Sequence, residues 1–176
     1  MVRKMNVTKA QYRKLTKSWI GIIVILVILG LNFYQEHNVS SSERFEVTLD
    51  KCVDGDTAWF NIDGEKTKVR FLYIDTPEST NQIEAYGKEA SDYTKEQLSN
   101  ADKIELELNN EGDKVDKYNR MLAWVFVDGE LLQEKLARMG LVEKFYDYGY
   151  TYKYKKEIIS ADNYAKNSHL GIYSGR

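Results

Sequence analysis

The chain has 176 residues, of which 43% are hydrophobic and 30% are charged, a composition that suits a globular domain with an apolar core. Its single cysteine, Cys52, excludes an intramolecular disulfide. Residues 1–18 contain six basic residues and no acidic one, so the formal net charge of −2 leaves −8 on residues 19–176. This acidic remainder argues against nucleic-acid binding by bulk attraction, although a local basic site is compatible with an acidic surface.

The N-terminal part is predicted to direct the chain to a membrane. A basic segment, 1–18, precedes an apolar segment, 19–34, that begins with Trp19 and ends with Tyr34. The length of the apolar segment suits either a signal peptide or a short spanning helix. The basic flank predicts an N-in, C-out orientation, and the terminal aromatics favour a single-pass signal anchor over a cleaved signal peptide.

The rest of the chain is therefore expected outside the cytoplasm, anchored to the membrane or secreted after cleavage. Residues 35–43 are polar and are interpreted as a linker, and residues 44–176 are interpreted as one domain. Within it, alternating or apolar runs predict three strands over 44–52, 56–62 and 66–74. The dipeptide Asp63-Gly64 is typical of the hairpin that joins the second strand to the third.

The second half of the domain combines helices and strands. A helix is predicted over 84–101, followed by strands over 103–108 and 121–127 and by helices over 130–139 and 153–169. Five short strands with a helix between the third and the fourth predict an α+β, mainly β fold, namely a five-stranded OB-type Greek-key barrel with three helices. Such a fold does not by itself define a function.

The motif DGDT (54–57) is the first candidate site. Asp54 and Asp56 offer hard oxygen ligands to a cation, although an Asp-Gly turn is also common without any ligand. An EF-hand loop is excluded because Trp59 stands where the loop requires a glycine. Since the first three strands form a meander, the end of the third strand can lie near this turn and bring Asp56 and Asp75 to one cation.

The loop after Asp75 adds two further candidates. Pro77 is the only proline in the chain, and the residue before a proline favours extended backbone. The carbonyl of Thr76 is therefore a candidate third ligand, and Glu78 projects near the cation from a stiffened loop. A glutamate in that place can orient or deprotonate a water molecule.

Two arginines complete the candidate site. Arg70 lies within an otherwise apolar strand, and Arg120 directly precedes the fifth strand. Guanidinium groups bind phosphate oxygens bidentately, so together with a divalent metal and Glu78 they form a complete set for phosphodiester hydrolysis. The alternative is that the two arginines only form ion pairs with Asp75, Glu78 or Asp116.

The position of Arg70 raises a geometric difficulty. Along a regular strand Arg70 shares a face with Ile74, whereas Asp75 has the opposite parity. If Arg70 and Asp75 serve one phosphate, the strand must twist, bulge or end before Asp75.

Five ordered segments resemble the staphylococcal nuclease (thermonuclease) family, over about residues 44–174. These segments are VDGDTAWF (53–60), VRFLYIDTPES (69–79), EAYGKEASDYTKEQL (84–98), DKYNRMLAWVFVDG (116–129) and LLQEKLARMGLVEKFYDY (131–148). The resemblance implies an OB-type barrel and Ca²⁺-dependent hydrolysis of DNA and RNA, with single strands preferred and 3′-phosphates as products. It implies no obligate protein partner.

The resemblance also implies roles for individual residues. The Ca²⁺ ligands are Asp56, Asp75 and the carbonyl of Thr76, with Asp54 as a nearby acid outside the ligand set. The catalytic residues, which with the metal stabilise a phosphorane-like transition state and activate water, are Arg70, Glu78 and Arg120. The substrate-binding residues are Lys117, Tyr118, Tyr146 and Tyr148.

Three features depart from the family pattern. The loop after Glu78 is short and lacks basic residues, the domain is acidic, and Asn119 stands where a glycine is usual. These departures concern substrate affinity and salt dependence and leave the catalytic set intact. The alternative function is a non-catalytic OB-fold module, tethered to a membrane, that binds nucleic acid or protein.

Overall fold

The computed structural model describes residues 43–80 and 83–175. The strands are β1 Phe45–Cys52, β2 Thr57–Ile62, β3 Glu65–Phe71, β4 Ile74–Asp75, β5 Ile104–Glu107, β6 Met121–Val127, β7 Glu130–Leu131 and β8 Lys144–Phe145. The helices are α1 Gly87–Asn100, α2 Leu132–Arg138 and α3 Lys155–Asn167, followed by a 3₁₀ turn at Gly171–Tyr173. The predicted segments 1–18 and 19–34, and all but the last residue of the linker, lie outside the described residues. No helix within the described ranges is long and apolar enough to cross a membrane.

Five strands close into a barrel. β1 pairs antiparallel with both β2 and β5, β2 pairs with β3, and β5 pairs with β6. The barrel closes because β3 also pairs in parallel with β6, where Arg70 lies opposite Leu122. The prediction of a mainly β, α+β fold with a five-stranded barrel and three helices is confirmed for the described part of the chain.

The apolar core fills the barrel and extends beneath α2. Phe60, Phe71 and Trp124 are among the largest fully buried side chains, as expected for strands whose alternate residues face inward. Gln133 of α2 is also buried, and its amide accepts a hydrogen bond from the Val125 amide (3.1 Å) and donates one to the Ala123 carbonyl (3.0 Å). These bonds satisfy a buried polar group and fix α2 on β6.

The third strand ends earlier than the prediction of 66–74. β3 stops at Phe71, and Tyr73 adopts a left-handed conformation with φ 76°. The chain then resumes as β4, in which Ile74 and Asp75 pair with β8. The break resolves the parity difficulty, because it lets Asp75 turn towards Arg70 while Ile74 stays buried.

The first helix begins at Gly87 and not at residue 84. Tyr86 is left-handed, with φ 67°, so the helical pattern cannot extend through it. A Cβ atom on Gly87 would lie 2.1 Å from the carbonyl oxygen of Glu78. The start of α1 therefore packs directly against the loop that carries Glu78, and this contact requires glycine.

A buried charge cluster joins β5 to the C-terminal part of the domain. Glu107 is fully buried, accepts a hydrogen bond from Tyr154 (2.7 Å), and pairs with Lys153 (2.7 Å) and Arg44 (3.4 Å). A buried carboxylate needs such partners, because desolvation otherwise disfavours its charged form. The cluster ties the segment before α3 to the barrel.

Candidate active site

Arg70 is the centre of the candidate site. Its side chain is 10% exposed and lies between two carboxylates: Nη2 donates a 2.5 Å hydrogen bond to Asp75 Oδ1, and Nη1 forms an ion pair with Asp56 Oδ1. Burial lowers the pKa of Arg70, Asp75 raises it, and the like charge of Arg120 lowers it. A guanidinium does not lose its proton in a protein, so the buried cation depends on its two anionic partners.

Asp56 is held in place by several donors. Its Oδ2 accepts hydrogen bonds from the backbone amide (2.8 Å) and hydroxyl (3.2 Å) of Thr76, and its Oδ1 accepts one from the Thr57 hydroxyl (3.0 Å). Asp56 and Thr76 are each 5% exposed. The structure therefore brings together Asp56, Asp75 and Thr76, the three residues that the sequence nominates as metal ligands.

The DGDT turn is supported from α1. The buried hydroxyl of Thr94 donates a 2.6 Å hydrogen bond to the Gly55 carbonyl. A Cβ on Gly55 would lie 2.6 Å from Thr76 Oγ1 and 2.8 Å from the Ala90 side chain, so glycine allows the turn to sit against both. Asp54 accepts the Asp56 amide at 3.2 Å, and burial raises the pKa of Asp54 against the opposing effect of Arg70. Asp54 thus contacts the backbone of Asp56, and no ion pair joins it to Arg70 within the described residues.

Arg120 is positioned by Asp116 within the turn that precedes β6. Asp116 Oδ1 accepts hydrogen bonds from the backbone amides of Tyr118 and Arg120 (2.9 Å each), and Oδ2 accepts one from Arg120 Nε at 2.6 Å. Asn119 has φ 59°, a left-handed conformation that asparagine tolerates better than most residues, which explains how it replaces a glycine. No described residue bonds the Nη groups of Arg120, so that end of the guanidinium is available to a ligand.

The two arginines share one cleft with a group of tyrosines. The cleft has a volume of about 570 Å³, and its lining includes the predicted residues Arg70, Lys117, Tyr118, Arg120, Tyr146 and Tyr148. The rings of Tyr146 and Tyr148 are stacked, with centroids 6.1 Å apart and planes at 5°. Tyr146 also donates a hydrogen bond to Asp75 Oδ2 at 3.1 Å, which connects this wall to the arginine centre. Guanidinium groups beside exposed aromatic faces suit a ligand with both phosphates and bases.

Glu78 lies outside the set of residues that line this cleft. Its side chain is exposed, and its carboxylate makes no hydrogen bond or ion pair with any described residue. Its backbone amide donates to Glu84 Oε2 at 2.8 Å, and its carbonyl accepts the Glu84 amide at 2.9 Å. The loop is therefore fixed by its backbone, while the carboxylate remains free to meet a ligand.

The ion-pair alternative is present in the structure alongside the site. Arg70 pairs with Asp75 as that alternative expects, and Arg120 pairs with Asp116, whereas Glu78 pairs with neither. Ion pairing alone does not explain why two like-charged guanidiniums line the same cleft, an arrangement that an anion stabilises.

The donor set fits a hard divalent cation. Asp56 and Asp75 present carboxylate oxygens to a single positive centre, and the Thr76 carbonyl accepts no hydrogen bond from a described residue. Oxygen donors of these kinds suit Ca²⁺ or Mg²⁺. Within the described ranges, three or more acidic, histidine or cysteine side chains are nowhere close enough together to form a cation site. Carbonyl oxygens and water would complete the coordination of a cation bound here.

Sequence reasoning missed several residues that shape the cleft. Asn109 is buried, and its amide bonds the Glu111 and Thr151 carbonyls at 3.0 and 2.9 Å. Tyr150 and Tyr152 also line the cleft. The signal that reveals these two rings is the recurrence of tyrosine at every second position from 146 to 152, which places aromatic side chains on one wall. Asn109 follows a strictly alternating strand and carries no comparable signal.

The structure is that of a small β-barrel protein with a cleft lined by arginines and tyrosines, and comparisons with known proteins give its family. The model of the family described as staphylococcal nuclease homologue matches residues 68–175. The chain is 33% identical to a thermonuclease of Staphylococcus hyicus over 172 residues, which cover 92% of this chain and 99% of that protein. The chain therefore belongs to the staphylococcal nuclease family.

Two relatives from Bacillus subtilis (strain 168) are more similar in sequence but longer. Endonuclease YncB is 39% identical over 141 residues, covering 78% of this chain and 66% of YncB. The SPbeta prophage-derived endonuclease YokF is 42% identical over 135 residues, covering 75% of this chain and 45% of YokF. The matched region thus spans about two thirds of YncB and less than half of YokF.

Proposed function

We propose that this protein is a Ca²⁺-dependent nuclease that hydrolyses DNA and RNA, preferably single-stranded, to 3′-phosphate products. The observation that carries the proposal is the convergence of Arg70 and Arg120 on one tyrosine-lined cleft, with Asp56, Asp75 and Thr76 gathered at its arginine centre. The family membership and the relatives named as thermonuclease and endonuclease support it.

The proposed reaction breaks the P–O5′ bond of a phosphodiester. Water adds to phosphorus, the 5′ oxygen leaves with a proton, and the phosphate stays on the 3′ oxygen. In this proposal Glu78 orients the attacking water and accepts its proton, because its carboxylate is not engaged by a described residue. Arg70 and the free Nη groups of Arg120 bind the phosphoryl oxygens as negative charge develops in the phosphorane-like transition state.

A Ca²⁺ ion held by Asp56, Asp75 and the Thr76 carbonyl would supply further neutralisation of that charge. Asp54 would support the ligand set through the Asp56 backbone amide, which it already bonds. On the aromatic wall, Tyr146 and Tyr148 would stack with a base, while Lys117 and Tyr118 would contact the phosphate side of the cleft.

The test is digestion of labelled single-stranded DNA and RNA by the full-length chain with Ca²⁺ or with EGTA. The proposal expects cleavage only with Ca²⁺ and fragments that end in a 3′-phosphate, which a phosphatase specific for that end converts to a 3′-hydroxyl. Absence of Ca²⁺-dependent cleavage, or products that carry 5′-phosphates, would contradict the proposal.

A second candidate is a non-catalytic module that binds nucleic acid or protein. The observation that favours it is that Glu78 lies off the cleft lining while both arginines have carboxylate partners. The same digestion separates the two candidates, since binding of the labelled strand without turnover in Ca²⁺ would support the module.

The proposed location is outside the cytoplasm. It is supported by the basic segment 1–18 before the apolar segment 19–34, which is expected to act as a single-pass anchor with its N-terminus inside or as a cleaved signal. Mass spectrometry of the mature protein distinguishes these forms, because cleavage would create a new N-terminus near Ser40–Ser42.

A further inference from the structure

We infer that Tyr150 forms an additional base-binding position, beyond the stacked pair Tyr146–Tyr148, that contacts a second nucleobase of a single strand. The inference rests on the proposed function for its substrate class. Tyr150 lines the same cleft and the residue is 39% exposed, so part of it is open to a ligand in the cleft. Its ring meets Tyr152 edge-on at 6.2 Å and 67°, which makes it a platform separate from the stacked pair.

Gly112 packs closely against the ring of Tyr150. A Cβ on Gly112 would lie 2.6 Å from the Tyr150 ring, and Gly112 has φ 82°, so both its conformation and its missing side chain suit glycine. Tyr152, only 7% exposed, packs against the same ring, and its hydroxyl accepts a hydrogen bond from the Tyr148 amide at 3.4 Å. The ring is thus held before any ligand arrives, which reduces the entropy lost on binding.

The backbone next to Tyr150 is also fixed. The Thr151 amide donates to Glu111 Oε2 at 2.9 Å, and the Thr151 carbonyl accepts Asn109 Nδ2 at 2.9 Å. Asn109 Oδ1 further accepts Trp124 Nε1 and the Lys153 amide at 3.3 Å each. Asn109 therefore acts as a positioning residue that joins the loop before Arg120 to the tyrosine wall.

The charges around Tyr150 select a base over a phosphate. The cleft lining includes the basic residues Arg70, Lys117 and Arg120. Gly112, which touches Tyr150, is flanked in the chain by the acidic residues Glu111 and Asp113. Carboxylates repel a phosphate but tolerate an uncharged base, and stacking on an aromatic ring is available to every base. The position therefore takes a base without sequence preference.

The experiment compares Tyr150→Ala and Tyr150→Phe with Tyr164→Ala. Tyr164 is the matched control because it is exposed on α3 and lies outside the cleft lining. The full-length chain cleaves either a 12-nucleotide oligothymidylate or, as a substrate with a single base, the 4-nitrophenyl diester of thymidine 5′-phosphate in Ca²⁺. The anisotropy of the labelled 12-mer in EDTA reports binding without cleavage. Thermal unfolding confirms that each variant is folded.

Tyr150→Ala is expected to raise the KM and the Kd for the 12-mer about tenfold, as for loss of one stacked base, with kcat and the KM for the one-base substrate unchanged. Tyr150→Phe is expected to match the wild type because it retains the ring. The inference would be overturned if Tyr150→Ala and Tyr164→Ala had the same KM and Kd for the 12-mer. It would also be overturned if Tyr150→Ala raised the KM equally for both substrates. If the wild type cleaves neither substrate, the proposed function fails, and the anisotropy measurement alone then decides for or against the base position.

Discussion

Arg70 donates a 2.5 Å hydrogen bond to Asp75, a residue five positions further along the chain and of opposite strand parity. The contact exists because β3 ends at Phe71 and left-handed Tyr73 redirects the backbone into β4. The same guanidinium pairs with Asp56 from the DGDT turn. One guanidinium thus pairs with both carboxylates that the proposal assigns to a metal.

The first prediction concerns removal of that cation. Arg70→Met leaves Asp56 and Asp75 without their buried partner, so we expect the free energy of unfolding to fall by about 3–5 kcal/mol in EDTA. Added Ca²⁺ is expected to restore more stability to Arg70→Met than to the wild type, because a cation that binds only the folded state stabilises it. Urea unfolding with and without Ca²⁺ measures both effects.

The control for this prediction is Lys66→Met on the same strand. Lys66 pairs with Asp50, but its side chain is 64% exposed, so the pair contributes only about 0–1 kcal/mol. The account of Arg70 is wrong if Arg70→Met loses no more free energy of unfolding than Lys66→Met and if Ca²⁺ stabilises Arg70→Met no more than the wild type.

The second prediction concerns Asp116 and pH. Burial raises the pKa of Asp116, but hydrogen bonds from Arg120 and from the Tyr118 amide outweigh it and hold the pKa below its ordinary value. A carboxylate with a depressed folded pKa stabilises the protein above its unfolded pKa and loses that effect as pH falls through the folded pKa. Asp116→Asn is therefore expected to cost about 1 kcal/mol at pH 7, with the difference from the wild type shrinking below about pH 4.

Urea unfolding of the wild type and Asp116→Asn between pH 3 and pH 7 measures this difference. Asp113→Asn is the control, since Asp113 lines the cleft and no hydrogen bond or ion pair joins it to the described residues. A difference for Asp116→Asn that stays constant across the whole pH range would contradict the account.

The third prediction concerns Gly87. Glycine to alanine inside a helix ordinarily stabilises it by about 1 kcal/mol, but at Gly87 the new Cβ would meet the Glu78 carbonyl at 2.1 Å. We expect Gly87→Ala to destabilise the domain by about 1–3 kcal/mol and to lower the cleavage rate, because the loop that carries Glu78 must move. The control is Ser99→Ala, at an exposed position of α1, which is expected to lower neither the stability nor the cleavage rate. A Gly87→Ala variant that is stabilised and fully active would refute the contact.

Much of the fold follows from local patterns in the sequence. The strand at 121–127 was predicted with its observed bounds, because seven apolar residues end at an Asp-Gly turn. The convergence of Asp56 with Asp75 follows from the meander topology. The position of Asn109 does not, since the four hydrogen bonds of its side chain reach residues up to 44 positions away.

The end of β3 at Phe71 could not be predicted from the local sequence pattern. The run FLYI is uniformly apolar and extends the strand pattern. The left-handed backbone of Tyr73 and the pairing of Ile74–Asp75 with β8, about seventy residues later, separate β4 from β3. The parity of Arg70 and Asp75 predicted that the strand must change course, but not at which residue. The position of the Glu78 carboxylate is likewise not predictable from the sequence, because the side chain is exposed and no packing contact fixes it.

The most direct test of the central claim is the Ca²⁺-dependent rate of single-stranded DNA cleavage by Glu78→Gln relative to the wild type and to Glu96→Gln. Glu78 is exposed and its carboxylate bonds no described residue, so Glu78→Gln is expected to remain as stable as the wild type within about 0.5 kcal/mol. Glu96 is exposed on α1 and away from the cleft lining, so its variant is expected to keep full activity. If Glu78 accepts the proton of the attacking water, the rate for Glu78→Gln falls about 10²–10⁴-fold. A Glu78→Gln variant that cleaves at the rate of Glu96→Gln, or a wild type that does not cleave in Ca²⁺, would contradict the account.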